Sequence, residues 1–161
     1  EIFNIIFCSF FIIEDKNNYK DLKMYFDFFL YNEKIHSLLQ CVKILNFYNL
    51  TYENLYKKNE ISEISRKQYK EKTNVFAYYF IKAILIFNAE KFMKWCYKTN
   101  INILTFSKTE TQLNKFYSFI KHHYNDKDFV ENMNKIHKRY METNDDFILT
   151  NLRMTVSELD V

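Results

Sequence analysis

Apolar residues along most of this chain recur three and four positions apart, which is the spacing of a helix face. Residues 19–31 and 33–48 each carry such a stripe, with lysines left on the polar side of the second. A short further helix is expected over residues 50–58, after a break at Asn49. The periodicity therefore predicts an all-α fold.

The dominant predicted element covers residues 60–99. Within it, residues 75–87 contain a single charged side chain, Lys82. A helix that is apolar on all sides belongs in the middle of a bundle, and thirteen residues are too few for the roughly 20 that a membrane-spanning helix needs. We therefore predict a bundle of about six to seven helices around a central apolar helix over residues 75–97.

Three further helices are predicted in the last third of the chain. Each is preceded by side chains that cap helix N-termini, namely Ser107 or Thr109, Asp126 or Asp128, and Asn144 or Asp145. The last of these helices would place five apolar residues at helical intervals: Phe147, Ile148, Leu152, Val156 and Leu159.

The opening run, residues 2–13, is apolar except for Asn4 and Ser9. It is too short to span a bilayer, and it lacks the basic flank and the small-residue cleavage site of a secretory signal. We expect a buried terminal helix or strand. With 161 residues the chain fits one all-helical domain, residues 1–161, and its first residue, Glu1 rather than Met, is compatible with a fragment of a longer chain.

The composition has no glycine and no proline, but 17 Phe and 13 Tyr. Without glycine, phosphate-binding loops and the tight turns of β-rich folds are excluded, whereas asparagine can adopt the left-handed conformation between helices. Asparagine stands at six expected breaks: Asn17, Asn18, Asn49, Asn100, Asn125 and Asn144. The excess of Phe, Tyr, Ile, Asn and Lys is typical of an A+T-rich genome.

The net charge of +3 is close to neutral. Residues 59–98 are the most basic part, with 8 basic and 4 acidic side chains. A nucleic-acid-binding protein usually shows a clear basic stripe, which here would have to consist of Arg66, Lys67, Lys70 and Lys72. The balance of charge disfavours nucleic acid as a partner.

The three cysteines, Cys8, Cys41 and Cys96, are far apart and lie in apolar runs, where cysteine acts as a small hydrophobic residue. No disulfide framework is indicated, which fits a reducing compartment. We expect an intracellular, cytoplasmic protein without a membrane span.

Catalytic chemistry has no positive signal in the sequence. Motifs that require glycine are impossible. Zinc sites have a characteristic ligand spacing that the histidines and aspartates in this region do not show. We interpret them as solvated residues at helix ends rather than as a metal site: His122, His123, Asp126, Asp128 and His137. The neighbouring acids Asp145 and Asp146 suit the positive end of a helix dipole. We predict a protein that is not an enzyme and has no cofactor and no metal.

Three stretches, in order, resemble the C-terminal helical domain of the γ-tubulin complex proteins. They are residues 38–55 (LLQCVKILNFYNLTYENL), residues 74–95 (NVFAYYFIKAILIFNAEKFMKW) and residues 129–151, which contain IHKRYMET and FILTN. The proline that this family usually has shortly before the tryptophan is replaced here by the run from Lys91 to Lys94, and the family's Trp-Pro element before the first stretch is missing.

This resemblance implies a scaffold that binds γ-tubulin, packs against sister subunits and takes part in microtubule nucleation at a microtubule-organising centre. The partner-binding candidates are Trp95, His137, Arg139 and Tyr140. Trp95 has two interpretations from its residue type alone, a core position or an interface anchor, because tryptophan is enriched in binding hot spots.

Two other non-catalytic interpretations stay open beside the resemblance. One is an adaptor or subunit of another large complex, which would leave an apolar patch of several hundred Å² exposed on the isolated chain. The other is a bundle like that of the apoptosis regulators, which would present a shallow apolar cleft around residues 75–87 to a partner helix.

Overall fold

The computed structural model describes residues 1–71, 73–100, 105–145 and 149–156. These residues form eight α-helices and one π-helical segment, and they contain no β-strand. The elements are α1 (Ile2–Ile12), α2 (Tyr19–Phe47), α3 (Tyr52–Tyr56), α4 (Glu60–Gln68), the π-helical segment (Phe76–Ile81), α5 (Lys82–Phe87), α6 (Ala89–Thr99), α7 (Glu110–His123) and α8 (Lys127–Glu142). The predicted all-α fold is confirmed, with eight α-helices in the described residues rather than six or seven.

The helix α2 is the element around which the others pack. It contacts α1, α5, α8 and the π-helical segment. Its 29 residues were predicted as two stretches, but no helix-breaking residue separates them, and the helix runs through Asn32 and Glu33 without interruption. The Asn18 side chain caps its N-terminus by accepting hydrogen bonds from the backbone N–H groups of Lys20 and Asp21.

The central helix predicted over residues 75–97 is not continuous. It is divided into the π-helical segment, α5 and α6, with the last break at Asn88, where the backbone leaves helical geometry (φ −99°, ψ 31°). The buried Asn88 side chain donates a hydrogen bond to the Ile84 carbonyl oxygen at 3.1 Å, in competition with the helix ladder. The core is therefore organised by α2 rather than by residues 75–97.

Asparagine and threonine residues end or cap several of the helices. Asn49 has a positive φ of 54° directly after α2, which confirms the predicted break. The Asn59 side chain caps α4 through the backbone N–H of Ser62. Of the two predicted caps for α7, the structure uses Thr109, whose hydroxyl accepts from the backbone N–H of Gln112.

The main core lies between α2, α5, α8 and the π-helical segment. Its fully buried members include Leu38, Val42, Phe80, Ile84, Phe129 and Met133. Phe129 packs edge-on against the rings of Tyr52 and Phe87, with centroid distances of 5.4 and 5.2 Å. Such ring pairs each contribute about 0.5–1.5 kcal/mol beyond their area burial.

The predicted last helix is wrong over residues 151–155, which are not helical. Leu152 therefore does not belong to a helix face, and Phe147, Ile148 and Leu159 lie outside the described residues. The physical reason is that side chains of α2 bind the backbone of this segment. Bonds of this kind use the same N–H and C=O groups that a helix would pair internally.

A polar stripe on α2, consisting of Glu33, His36, Gln40 and Lys43, makes these contacts. Lys43 Nζ donates to the Asn151 carbonyl oxygen at 2.5 Å, and the Arg153 N–H donates to Gln40 Oε1 at 3.1 Å. The four residues are three or four positions apart, so they lie in a row on one face of α2. Along this row they contact the backbone of the segment from residue 151 to residue 156.

Lys82, the lone charge in its apolar run, forms a buried ion pair with Glu33. Its Nζ lies 2.8 Å from Glu33 Oε1 and 2.8 Å from Glu1 Oε2, and it also donates to the Met154 carbonyl. The second oxygen of Glu33 accepts from the Val156 N–H at 3.1 Å. One charge pair thus connects α1, α2, α5 and the segment of residues 149–156.

The core contacts predict a large difference between two substitutions on α8. Replacing the buried Phe129 with Ala removes two ring contacts and leaves a cavity, so we expect a loss of about 3–5 kcal/mol in unfolding free energy. Replacing the exposed Met141 on the same helix with Ala should change it by about 0.5 kcal/mol or less. Urea denaturation followed by circular dichroism measures both, and equal losses would contradict the packing described.

The polar stripe predicts an acid dependence of stability between about pH 7 and pH 5. Burial lowers the pKa of His36, whose Nε2 lies 3.2 Å from the Arg153 carbonyl oxygen. As the pH falls below the unfolded value of about 6.5, the unfolded chain binds a proton at His36 before the folded chain does, so the unfolding free energy decreases. In the His36→Gln variant this decrease should be smaller, as measured by thermal melts at both pH values. An identical pH dependence in wild type and variant would show that His36 is not the source.

Candidate functional site

The first helix, α1, was expected to be buried, and this expectation is wrong for one of its sides. Ile5 and Ser9 are its buried residues, and they face α2 together with the half-buried Ile2. The Ser9 hydroxyl donates to the Ile5 carbonyl oxygen at 2.6 Å, which satisfies it inside the apolar contact. One side of α1 is thus fixed to α2 and the other faces outward.

The outward side carries an aromatic face, which we define as Phe3, Phe7, Phe10 and Phe11. All four rings are exposed, with 56% of Phe7 and 73% of Phe11 accessible. A phenylalanine presents about 150–250 Å² when fully exposed, so the face offers roughly 400 Å² of apolar surface. Patches of about 300–600 Å² are the largest that monomeric proteins usually show, and they are often functional.

The helix that carries the aromatic face has no charged residue of its own, but charged residues follow it. No charged residue lies within α1, and Glu14 and Asp15 follow it. Lys16 is engaged with the helix end, where its Nζ donates to the Phe10 carbonyl oxygen at 2.7 Å and lies 4.9 Å from the centre of the Phe10 ring.

In the part of the chain that the structure describes, no helix is both long and apolar enough to cross a bilayer.

A second surface feature is an apolar cleft between α3, α4, the π-helical segment and α7, with a volume of about 440 Å³. Its lining residues are Tyr52, Leu55, Arg66, Tyr69, Phe76, Phe80, Ile84, Tyr117, Ile120, Lys121 and Tyr124. Tyr52, Phe80 and Ile84 form a buried floor, whereas Tyr117, 62% exposed, stands on the wall. The volume lies within the range of about 300–1,000 Å³ that is usual for ligand pockets.

The charges of the cleft are both positive. Among the described residues that line it, Arg66 and Lys121 are the charged ones, and neither has a carboxylate within ion-pair distance there. Arg66 Nη1 donates to the carbonyl oxygens of Asn54 and Lys57, each at 2.8 Å, and Lys121 Nζ lies 6.0 Å from the Tyr117 ring centre. The cleft therefore combines an apolar floor with two positive side chains that have no ion-pair partner there, and the Glu71 carboxylate lies behind its wall at Tyr69.

The phenol of Tyr69 closes one side of this cleft. Burial, together with the hydrogen bond that its hydroxyl donates to Glu71 Oε2 at 2.8 Å, raises the pKa of Tyr69. The same carboxylate oxygen accepts from the Phe76 N–H at 2.9 Å. Glu71 thereby fixes Tyr69 against the start of the π-helical segment and shapes the cleft wall.

The basic residues considered for nucleic-acid binding do not all lie in one free row. Arg66 is half-buried and engaged with two backbone carbonyls, as described above. Lys67 and Lys70 are exposed, and Lys72 lies outside the described residues. Among the described residues of this group, the exposed cations are therefore Lys67 and Lys70, which do not amount to a basic stripe.

The four partner-binding candidates from the sequence occupy different environments. Trp95 is half-buried in an aromatic cluster of α6 and α7, stacked on Phe92 at a centroid distance of 5.9 Å. On α8, Tyr140 is only 7% exposed and packs in the main core, His137 is half-buried and Arg139 is exposed. The structure thus assigns Tyr140 to the core and does not unite Trp95 with the α8 residues in one cluster.

The histidines at the end of α7 belong to a turn. His123 is buried against the Phe119 ring, and its Nδ1 lies 2.8 Å from Asp126 Oδ2. This hydrogen bond, assisted by Lys91, holds the pKa of Asp126 below its usual value. In the described residues no three His, Cys, Asp or Glu side chains lie close enough to hold a metal ion.

No family model matches the chain, and no curated protein or solved structure is significantly similar to it. The aromatic face and the cleft are the surface features that can contribute to a function.

Reasoning from the sequence found the cleft in part and missed the aromatic face. Residues 75–87 do border an apolar cleft, as the groove-type interpretation predicted. In α1, the exposed rings of Phe7, Phe10 and Phe11 follow Phe3 by four, seven and eight positions, which is the spacing of one helix face. The opposite side of α1 is equally apolar, however, so periodicity alone could not tell which side is buried.

The exposure of the aromatic face predicts that it can be removed without loss of stability. In the double variant Phe7→Ser and Phe11→Ser we expect an unchanged melting temperature and reduced binding of a hydrophobic dye such as anilinonaphthalene sulfonate, because the rings do not contribute to the core. The matched control Ile5→Ala, on the buried side of α1, should lose about 2–5 kcal/mol. If the melting temperature of the double variant fell as far as that of Ile5→Ala, the rings of the aromatic face would have to be buried rather than exposed.

Proposed function

We propose that this chain is a non-catalytic helical assembly subunit that binds a protein partner through its aromatic face. The exposed, uncharged rings of α1 carry the proposal. Burying roughly 400 Å² of apolar surface yields about 10 kcal/mol before the costs of association are subtracted. Aromatic residues are enriched, and charged residues depleted, in the cores of protein interfaces, and the aromatic face has that composition.

The non-catalytic part of the proposal is supported by the roles of four charged or ionisable side chains that are buried or half-buried, Glu33, Lys82, His123 and Asp126. Glu33 and Lys82 neutralise each other and bind backbone groups of residues 154–156. His123 and Asp126 stabilise the turn between α7 and α8. These groups already have structural roles, whereas a reactive site needs side chains directed toward a substrate.

We propose γ-tubulin as a second partner, bound at α8, with the sister subunits that the aromatic face contacts as lateral neighbours and microtubule nucleation at a microtubule-organising centre as the role. The support is the resemblance of residues 38–55, 74–95 and 129–151 to the γ-tubulin complex proteins. Arg139 is exposed and His137 is half-buried on α8, so both are available to such a partner, and Trp95 retains a partly open ring.

The test of this proposal separates assembly from the partner's identity. In extract of the source cells, the tagged chain should elute as a large complex in size-exclusion chromatography, and the variant Phe7→Ser and Phe11→Ser should elute as a small species, because the rings that bury the interface are gone. The control Tyr97→Ser, on an exposed position of α6, should elute like wild type.

Purified γ-tubulin should bind the immobilised wild-type chain, with at least about tenfold weaker binding for Arg139→Glu, equivalent to about 1.4 kcal/mol. If the large complex contains no γ-tubulin, γ-tubulin is excluded as a partner, but the proposed role in assembly stands. A wild-type chain that elutes as a monomer from extract would contradict the assembly role itself.

The cleft favours a second candidate function, a helical adaptor that receives an amphipathic helix. Its apolar floor and exposed aromatic wall are the features that helix-in-groove recognition uses. In this alternative the aromatic face is not the primary contact, and binding depends on Tyr117 and the two rim cations.

A further inference from the structure

The aromatic face and the cleft are complementary surfaces on one chain. We propose that the aromatic face of one copy docks into the cleft of a second copy, so that the chain assembles head to tail. This inference rests on the proposed assembly function, and it names both the partner and the receiving site.

The spacing of the rings is the one that helix-in-groove recognition uses. Phe3, Phe7, Phe10 and Phe11 provide the i, i+4, i+7 and i+8 anchors by which an amphipathic helix occupies an apolar groove. On the receiving side, the rings of Phe76 and Phe80 are stacked at a centroid distance of 4.9 Å. Aromatic anchors entering an aromatic-lined cleft gain ring contacts in addition to area burial.

The charges are also complementary. The rim of the cleft carries Arg66 and Lys121, which have no carboxylate partner among the described residues. The helix with the aromatic face is followed by two acidic side chains, Glu14 and Asp15, and one basic side chain, Lys16, whose ammonium group lies over the Phe10 ring and donates to carbonyls of its own helix end. Docking would place an acidic helix end near a basic rim, which favours this pairing over a neutral one.

A chain does not fill its own cleft in this structure, because α1 packs on α2 and contributes no residue to the cleft lining. Symmetric pairing of two aromatic faces would leave the cleft and its two cations unused. An anionic membrane surface fits poorly as well, since interfacial helices are rich in Lys and Arg on their polar side and α1 has none.

The contact is of the heterologous type, because two different surfaces meet. Such contacts leave one face and one cleft free at the ends, and therefore produce rings or open filaments. About 400 Å² from the face and, at most, a similar area from the cleft together with the surface around it give a total below the 1,200–2,000 Å² of stable interfaces. We accordingly expect self-association with a dissociation constant of about 1–100 µM.

Sedimentation velocity of two half-defective variants tests the proposal. Phe7→Glu breaks the face and leaves the cleft, whereas Tyr117→Glu breaks the cleft and leaves the face, and both positions are exposed enough for the fold to tolerate the change. Each variant alone should stay monomeric, and an equimolar mixture should form a dimer and nothing larger. Wild type and the control Tyr97→Glu should form larger species as concentration rises, and thermal melts verify that all four chains are folded.

A charge exchange provides an independent readout. Glu14→Lys and Lys121→Glu should each weaken self-association by about tenfold, and the chain carrying both should recover most of it. No recovery would overturn the proposed pairing of helix end and rim.

A Tyr117→Glu variant that associates like wild type would show that the faces pair with each other, and a wild type that stays monomeric at about 200 µM would also overturn the proposal. If such a monomeric chain still enters a large complex in extract through Phe7 and Phe11, the assembly function stands and only the head-to-tail contact is wrong.

Discussion

The buried ion pair of Lys82 and Glu33 is the interaction on which the arrangement of this chain depends. It joins α2 to the start of α5, and through Glu1 and the Val156 N–H it also holds α1 and the segment of residues 149–156. A buried charge that loses its partner costs about 3–5 kcal/mol, so these four parts of the chain depend on one another. By fixing α1 against α2, the pair also determines that the phenylalanines on the other side of α1 face outward.

The fold was predictable wherever the signal is local. Thr109 caps α7 and Asn49 ends α2 because capping and left-handed geometry depend on a few neighbouring residues, and Asp126 stands at the N-cap position of α8 although its carboxylate binds His123 rather than the helix. The failures have two kinds of cause. Residues 151–155 have helical periodicity but lie instead along the polar stripe of α2, and no short window of sequence contains both partners of these contacts. The break at Asn88 is local, because its side chain binds the Ile84 carbonyl oxygen four residues earlier, but the continuous apolar run predicted a single central helix.

The candidate site was less predictable than the fold, and the composition explains why. In a chain this rich in Phe and Tyr, a core ring such as Phe129 and an exposed ring such as Phe11 have the same sequence signature. Only packing distinguishes them. Trp95 shows the same ambiguity, since it lies half-buried among other rings, and its role as an interface anchor stays a prediction. The cleft was anticipated through residues 75–87, whereas its other wall, from α7, required the tertiary arrangement.

The polar stripe has a consequence for how this sequence can change over generations. Because Gln40 and Lys43 bind the main chain of residues 153 and 151, these two contacts do not depend on which side chains that segment carries. The replacement that these contacts forbid is proline at Arg153 or Val156, where the N–H is the donor, and the chain contains no proline. Selection for these contacts should therefore act on the four α2 side chains, and at Arg153 and Val156 only against proline.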